Sequence, residues 1–461
     1  MFIQQLYTNC LAEAAYYIES NGEAIIIDPI RETDQYLKLL QERGAKLKYI
    51  LETHFHADFV SGHIDLARKT GADIVFGPGA NTAYKVYLAK DQEIFSIGAL
   101  TVKVLHTPGH TPESTCYLLQ DENGKPHAIF TGDTLFVGDV GRPDLLDGVM
   151  SKEDLAGKLY DSLQILKQLP DEVLLYPAHG PGSACGKNIG KETWSSMGTQ
   201  KKTNYALLAN NRDRFINDLT SGLSAPPAYF FHDAKVNKQG YNSLEDVMKR
   251  SKNPLTVNDF KVQAKEGSLI LDCRTPDEFE KGHIKGSLNI GLNGQFAIWA
   301  ATLIKVTESL IIVAEENKED EAITRLARVG YENVKGFLKG GIAEWINTGN
   351  SLETIHSVSP EEFAAGHSPK SLLLDVRKPG EYENGHLKGA IAASLASIDK
   401  QTEGLDKSAP YFVYCAGGYR SMIACSILKN KGFTNLTNIY KGFGGLQNAG
   451  LEIEKPQEAA V

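Results

Sequence analysis

The sequence predicts an α/β protein of about three domains, and three observations predict it. The chain has 461 residues, which at roughly 150 residues per domain leaves room for about three hydrophobic cores. Its first part alternates short apolar strands with helical stretches, the pattern of sheets covered by helices. Its last part repeats itself. Leu269-Ile270-Leu271-Asp272-Cys273-Arg274 with Gly282-His283-Ile284-Lys285-Gly286 returns as Leu372-Leu373-Leu374-Asp375-Val376-Arg377 with Gly385-His386-Leu387-Lys388-Gly389, an offset of 103 residues between His283 and His386. So long a period signals a duplicated domain rather than a solenoid unit.

Taken in order, Ala24–Asp28 is an apolar run of strand length, and Asp34–Glu42 spaces Tyr36, Leu37, Leu39 and Leu40 as a helix does. Tyr49–Leu51 reads as a strand, Phe59–Lys69 as a helix and Asp73–Phe76 as a strand. Leu100–Leu105, Thr115–Leu119 and Ala128–Phe130 follow as strands, then an amphipathic helix over Lys152–Lys167 and a strand over Val173–Tyr176. Apolar spacing fades from Ser221, through Ser224-Ala225-Pro226-Pro227 and the polar stretch Lys235–Gly240, and resumes after Pro254. These signals divide the chain at 1–245, 253–350 and 355–461.

Composition narrows the function. Lys+Arg 48 against Asp+Glu 57 gives a net charge of −9, which argues against sequence-independent nucleic-acid binding. The longest clean apolar run, Phe296–Ile304, is far short of the ~18 residues of a membrane span. Met1-Phe2-Ile3-Gln4-Gln5 shows no basic region followed by an apolar one, so no signal peptide is expected. The six cysteines form no CxxC pair, which points to a reducing, cytoplasmic setting and to reactive rather than bridged thiols.

Four polar clusters each follow an expected strand: Thr53-His54-Phe55-His56-Ala57-Asp58-Phe59, Thr107-Pro108-Gly109-His110-Thr111, Thr131-Gly132-Asp133-Thr134 and Tyr176-Pro177-Ala178-His179-Gly180. Imidazoles and carboxylates at strand ends can converge on one cation. His63, His106 and His127 match no motif and are read as ordinary hydrogen-bonded or exposed histidines. Residues 1 to 200 resemble the metallo-β-lactamase superfamily, which implies an αβ/βα sandwich with a metal at one sheet edge. Phe59 stands where dinuclear members carry a second-site His, and a phenyl ring cannot ligate, so one metal ion is expected. The segment from Gly132-Asp133-Thr134 to Gly141-Arg142-Pro143-Asp144-Leu145 resembles the persulfide dioxygenase branch. That resemblance implies Fe(II), one per chain, on His54, His110 and Asp133, with His56, Asp58 and His179 either supporting those ligands or left over as alternative metal ligands. Zinc on His54, His56 and His110 is the rival assignment. Two His and one carboxylate with open positions opposite suit non-haem iron that must take substrate and dioxygen together. Arg142 either anchors an anionic part of a thiol carrier or pairs with Asp139 or Asp144. Cys185, in a small-residue loop after His179 and near Lys187, is either a relay thiol or incidental.

In the second repeat, strand Tyr411–Tyr414 delivers Cys415-Ala416-Gly417-Gly418-Tyr419-Arg420 and then a helix over Ser421–Lys431. A Gly-rich loop entering a helix turns amide N–H groups inward and makes an anion cradle, which favours a thiolate and a cysteine persulfide. Residues 355 to 453 resemble a rhodanese domain, where a six-residue loop implies sulfur transfer. The resemblance implies Cys415 as nucleophile, Arg420 as the fixed charge for thiosulfate or sulfite, and Ala416, Gly417, Gly418 and Tyr419 as the substrate cradle. Asp375 and Arg377 read as a structural ion pair, and Cys425 as core. The first repeat has the same scaffold, but Ala314 replaces the nucleophile and Glu315, Glu316 and Glu319 make its loop acidic, so it reads as catalytically dead, with Cys273 buried.

The whole layout, an αβ/βα metallo-β-lactamase sandwich followed by two rhodanese-like α/β domains, resembles the multidomain persulfide dioxygenase–sulfurtransferases. That implies oxidation of a low-molecular-weight thiol persulfide with O2 to sulfite, and sulfur transfer through Cys415 to or from thiosulfate. The expected partners are the persulfide, O2 and thiosulfate or sulfite, with no nucleic acid, no membrane and a homo-oligomeric assembly. The rivals are a zinc thioester hydrolase of the glyoxalase II type fused to a sulfurtransferase, and a non-catalytic sulfur-binding scaffold.

Overall fold

A computed structural model describes residues 1–145, 150–223, 225–366 and 371–455. These residues form two compact units, 1–247 with 326–331, and 248–325 with 332–461.

The first unit is built on two six-stranded sheets. One contains β1 (Phe2–Thr8), β2 (Glu13–Ser20), β3 (Glu23–Ile27), β4 (Lys46–Glu52), β5 (Asp73–Phe76) and β6 (Tyr87–Leu88) in chain order, antiparallel as far as β3 and parallel beyond it. The other contains β7 (Ile94–Ile97), β8 (Leu100–His106), β9 (Thr115–Gln120), β10 (Pro126–Gly132), β11 (Leu174–Pro177) and β12 (Ser195–Ser196), also in chain order across the sheet. Period-2 alternation decides which side chains meet. Tyr117 and Leu119 of β9 join Tyr16, Ile18, Ile25, Ile27, Leu51 and Val75 in the core between the sheets. Cys116 and Leu118 point the other way, into a second core with Leu155's neighbours Ala156, Leu159 and Leu163 on the helix Lys152–Leu166. Helices Asp34–Arg43 and His63–Thr70 bury Tyr36, Leu40 and Leu66 on their inner sides. The result is the αβ/βα sandwich that the resemblance to the metallo-β-lactamase superfamily implies.

Several elements differ from the sequence reading. β1 and β2 precede the first strand expected: β1 is half-buried throughout and carries no clean apolar run, while β2 buries the apolar run Ala14–Ile18. The helix expected from Phe59 begins only at His63, because Asn237 takes the intervening backbone: it donates to the Phe59 carbonyl (2.8 Å) and accepts from the Ser61 amide (2.9 Å). The polar stretch read as the approach to a boundary lies in a helix, Tyr229–Gln239, with Asp233 and Asn237 buried.

The second unit contains two five-stranded parallel sheets. The first orders β13 (Pro254–Leu255), β17 (Val334–Leu338), β16 (Leu310–Val313), β14 (Leu269–Asp272) and β15 (Leu288–Asn289). The second orders β18 (His356–Val358), β23 (Leu436–Ile439), β22 (Tyr411–Tyr414), β19 (Leu372–Asp375) and β21 (Ile391–Ala392) in the same topology. Sequence repetition therefore appears as structural repetition, down to its ion pairs. Arg274 pairs with Asp272 and donates to the Gly282 carbonyl (2.9 Å), and Arg377 pairs with Asp375 and donates to Gly385 (2.7 Å). Among the described residues no helix is long and apolar enough to cross a membrane; Phe296–Leu303 is a helix of eight residues.

Candidate metal centre and cysteine loop

The metal-type residues gather at the ends of the strands, in three groups of three whose donor atoms lie within 4.8 Å of one another: His54, His110 and Asp133; Asp58, His179 and Cys185; Asp28, Glu52 and His56. All nine are buried.

The first group is oriented by its neighbours. Thr53, fixed by Asp28 through its amide and hydroxyl (both 2.8 Å), sets its Oγ1 2.9 Å from His54 Nδ1. His110 Nδ1 faces the Arg142 carbonyl at 2.8 Å. In each imidazole this leaves Nε2 for the centre, where His110 Nε2 and Asp133 Oδ2 are 3.3 Å apart and His54 Nε2 and Asp133 Oδ2 3.9 Å. His110 Nε2 and both Asp133 oxygens are buried without a hydrogen-bond partner. Buried polar atoms left so would be costly, and three of them converging is what a cation would satisfy. The residues therefore fit a metal ion.

Asp133 also looks the other way, its Oδ1 lying 3.5 Å from His179 Nε2, which is itself 3.5 Å from Asp58 Oδ2. His179 Nδ1 is held by the Ala12 carbonyl at 3.1 Å. Cys185 completes this second group; the sequence placed its loop near the site but gave no reason to join it to Asp58 and His179. Burial, with Asp58 and Asp133 nearby, pushes the Cys185 thiol well above its usual range. Lys187 does not counter this, since its ammonium donates to the carbonyls of Asp218 (2.9 Å) and Ser221 (2.6 Å).

His56 belongs to the third group. Burial works against its charge, but Asp28, 3.1 Å from Nε2, with Glu52 and Asp58 outweighs that and lifts its pKa to about 10. Phe59 packs its ring 4.4 Å from that of His56. The Arg142 guanidinium is taken up by Asp144, two hydrogen bonds at 2.7 and 2.8 Å, while Asp139 accepts from the Val140 amide instead. His63 is buried against Glu52 and the Tyr84 hydroxyl, and His106 bonds the Pro112 carbonyl.

Gly141 closes the loop over the first group. Its amide donates to the Asp133 carbonyl (3.0 Å), and a Cβ there would lie 2.1 Å from that oxygen and 2.8 Å from His110 Nδ1. Gly141→Ala must therefore displace two of the three donors. The expected outcome is a drop in stability of about 1–3 kcal/mol, as for an overpacked core site, with lower metal content. Melting temperature and metal per chain measure both; neither changing would count against the tight-packing argument.

In the second unit, Cys415 directly follows β22, and the Gly418 amide donates to its Sγ at 3.1 Å. Gly418 holds φ +100°, which an L side chain rarely adopts, so the amide points inward only because the residue is glycine. The following helix begins at Tyr419, two residues earlier than expected, directly after the Gly418 amide that meets the thiol. Arg420 makes two hydrogen bonds to Glu381, at 2.6 and 2.8 Å, and lowers that carboxyl's pKa to about 2. Glu381 was missed at the sequence level, although its counterpart in the first repeat, Glu278, pairs with Lys281 and so gave no hint of an active-loop role. Tyr419 donates to the Gly291 carbonyl of the first repeat at 2.7 Å. Cys273 and Cys425 are both buried.

Ala314 sits where β16 ends, as Cys415 does after β22, and Glu315 and Glu316 are exposed. Restoring the thiol alone should restore nothing: Ala314→Cys in a Cys415→Ser background is expected to show no cyanide-dependent sulfur transfer from thiosulfate. An acidic loop repels the dianion, and neither a loop glycine nor the arginine is present. Measurable turnover would refute this.

Sandwich and ligand constellation define a metal-binding αβ/βα domain, here carried with two domains of the sulfurtransferase type. Residues 8–179 match the model of the metallo-beta-lactamase superfamily, and residues 256–348 and 359–449 that of the rhodanese-like domain. The chain belongs to the metallo-beta-lactamase superfamily. It is similar to a probable hydroxyacylglutathione hydrolase of Schizosaccharomyces pombe, 32% identical over 238 residues, 50% of this chain and 84% of that protein. A hydroxyacylglutathione hydrolase of Pelagibacter ubique is 32% identical over 175 residues, 37% of this chain and 68% of that protein. Among solved structures, a metallo-beta-lactamase from Staphylococcus aureus subsp. aureus COL superposes with a TM-score of 0.67 at 32% identity, over 73% of this chain and 99% of that one.

Proposed function

We propose that the protein oxidises low-molecular-weight thiol persulfides with O2, at one iron ion held by His54, His110 and Asp133, and transfers sulfane sulfur through Cys415. The observation that carries the reading is the composition of the first donor group. Two imidazoles and one carboxylate converge there, while His56, the third imidazole a zinc site would use, stands apart from them in the group with Asp28 and Glu52. A facial pair of His with one carboxylate is the non-haem iron arrangement. The overall reaction balances as RSSH + O2 + H2O giving RSH, sulfite and two protons. The chemistry iron supplies when bound is the activation of dioxygen and the capture of the persulfide sulfur.

The chain's own residues do the rest. Thr53 and the Arg142 carbonyl fix the two imidazoles, so that each presents Nε2 and keeps its Nδ1 side occupied. Full burial of the donors excludes bulk water from the centre. At the second site the Cys415 thiolate attacks the outer sulfur of RSSH, releasing RSH; the Cys415 persulfide then passes that sulfur to sulfite, giving thiosulfate and the free thiolate. The Gly418 amide stabilises the sulfur anion in both steps.

A second reading is thioester hydrolysis, favoured by the names of the two relatives above. One preparation tests both: metal content, oxygen uptake with a panel of persulfides, and hydrolysis of a hydroxyacylglutathione thioester. The proposal expects about one iron per chain and persulfide-dependent uptake. Two zinc ions per chain with rapid thioester hydrolysis and no uptake would overturn it.

A further inference from the structure

The helix that follows Cys415, Tyr419–Asn430, buries six consecutive residues, 421–426. Six residues run through more than one full turn, so the helix is covered on every side rather than along one stripe. Its own strands β22 and β23 supply one cover, and β15 of the first repeat supplies another. Three hydrogen-bonding residues meet that second cover. The Tyr419 hydroxyl donates to the Gly291 carbonyl (2.7 Å), the Ser426 hydroxyl accepts from the Asn289 amide (3.1 Å), and Asn430 Nδ2 donates to the carbonyls of Gly286 and Ser287 (both 3.2 Å). At spacings of seven and four residues they share one helix face. The helix that starts at the thiol loop is therefore docked lengthwise on the repeat that lacks the cysteine.

One end of this contact bears on Cys415. Tyr419 directly follows Gly418, whose amide meets Sγ. The Tyr419 ring lies on Gly294, where a Cβ would come within 2.5 Å of two ring carbons. The loop beneath the ring is held in turn. Arg325 donates from Nη1 to the Leu292 carbonyl (2.6 Å) and from Nη2 to the Gly294 carbonyl (2.9 Å), and the Leu292 amide donates to the Cys273 carbonyl (3.0 Å). A lysine cannot reproduce that two-pronged grip. Arg325 stands on the helix Glu319–Ala327, which follows β16 as Tyr419–Asn430 follows β22. Gly418, at φ +100° and without a Cβ, offers little resistance to rotation of its own. The anchored residue after it is what keeps its amide turned to the sulfur.

We propose that the first repeat completes the sulfur-transfer site: its loop 291–294, clamped by Arg325, holds Tyr419 and thereby keeps the Gly418 amide on Cys415. Tyr419 and Arg325 are positioning residues. Absence of a thiol from the first repeat leaves this role intact, because it uses the loop after β15 and not the loop after β16 that carries Ala314. The proposal rests on the sulfur-transfer reading for its chemistry, but the geometry it concerns is that of the thiol itself.

Two variants test it. Tyr419→Phe keeps the ring on Gly294 and removes only the hydroxyl, and Arg325→Lys keeps the charge and removes the grip. Alkylation of Cys415 by iodoacetamide, followed on its own peptide by mass spectrometry across pH, is measured beside thiosulfate:cyanide transfer. A hydrogen-bond donor that leaves a sulfur anion for part of the time disfavours the anion. In both variants the alkylation profile is expected to move to higher pH by about half a unit to one unit. Transfer at neutral pH is expected to fall about three- to tenfold, one unit being tenfold in the thiolate fraction. The neighbouring ion pair of Arg420 with Glu381 is the same in wild type and variants, so it does not account for a shift. A wild-type alkylation profile in Tyr419→Phe would overturn the proposal even if transfer fell, since the hydroxyl would then act on something other than the thiol. A shift in Tyr419→Phe with none in folded Arg325→Lys would overturn the clamp. Absence of transfer in the wild type would remove the sulfur-transfer reading, and the alkylation profiles would still decide the positioning.

Discussion

His110→Ala is expected to abolish metal-dependent oxygen uptake while sulfur transfer at Cys415 continues. Losing a residue that merely orients a metal ligand typically costs 10–100-fold in metal affinity, so loss of one of three donors should cost at least about 100-fold. His110 has no role outside its centre: Nδ1 is held by the Arg142 carbonyl and Nε2 faces Asp133. Cys415 stands in a unit with its own cores, one built on Phe260, Ile311 and Val313 and one on Phe363, Leu373 and Tyr414. Units with separate cores keep separate chemistry when one site is emptied. The measurements are iron per chain, oxygen consumption with a persulfide and thiosulfate:cyanide transfer on the same sample. Loss of all three, with unchanged circular dichroism, would mean that the two sites are not independent.

Cys415→Ser should do the reverse, lowering sulfur transfer by a factor on the order of 10³ or more, as removal of a nucleophile does, with metal content and oxygen uptake kept. A serine hydroxyl at its ordinary pKa is neither ionised nor able to carry a sulfane sulfur. The amide of Gly418 then has no sulfur anion to hold. The product should change accordingly. Wild-type protein consuming persulfide and oxygen should release part of its sulfite as thiosulfate, and the mutant should release mostly sulfite. Arg420→Ala should shift the ratio less, because Arg420 already spends its two hydrogen bonds on Glu381 and acts through the loop rather than by a free charge. An identical sulfite-to-thiosulfate ratio in wild type and Cys415→Ser, at matched oxygen consumption, would show that the rhodanese-like domain does not handle the sulfur of the first reaction.

The sequence by itself determined the architecture wherever local pattern and burial coincide. Strands such as Asp73–Phe76 and Tyr411–Tyr414 are bounded as the residues predict, because a short run of consecutive apolar or aromatic residues has one stable place, inside a sheet. The 103-residue repeat likewise foretold two sheets of one topology, since each copy carries the same strand-end Asp and Arg that must pair when buried. The motifs placed His54, His110 and Asp133 at strand ends, where side chains from neighbouring strands converge. Tertiary structure alone decided which donors share a group. His56 stands two residues from His54, yet it turns to Glu52, four residues back, and to Asp28, which reaches it only once β3 and β4 are paired. Cys185 joins Asp58 and His179 through a loop whose sequence names no partner. Tyr229, Asp233 and Asn237 escaped notice for a related reason: their helix is anchored by polar atoms, and a search for apolar periodicity reads polar residues as solvent-facing. Hydrophobic burial is local enough to be written in spacing, whereas a buried hydrogen bond or ion pair exists only when its distant partner is in place.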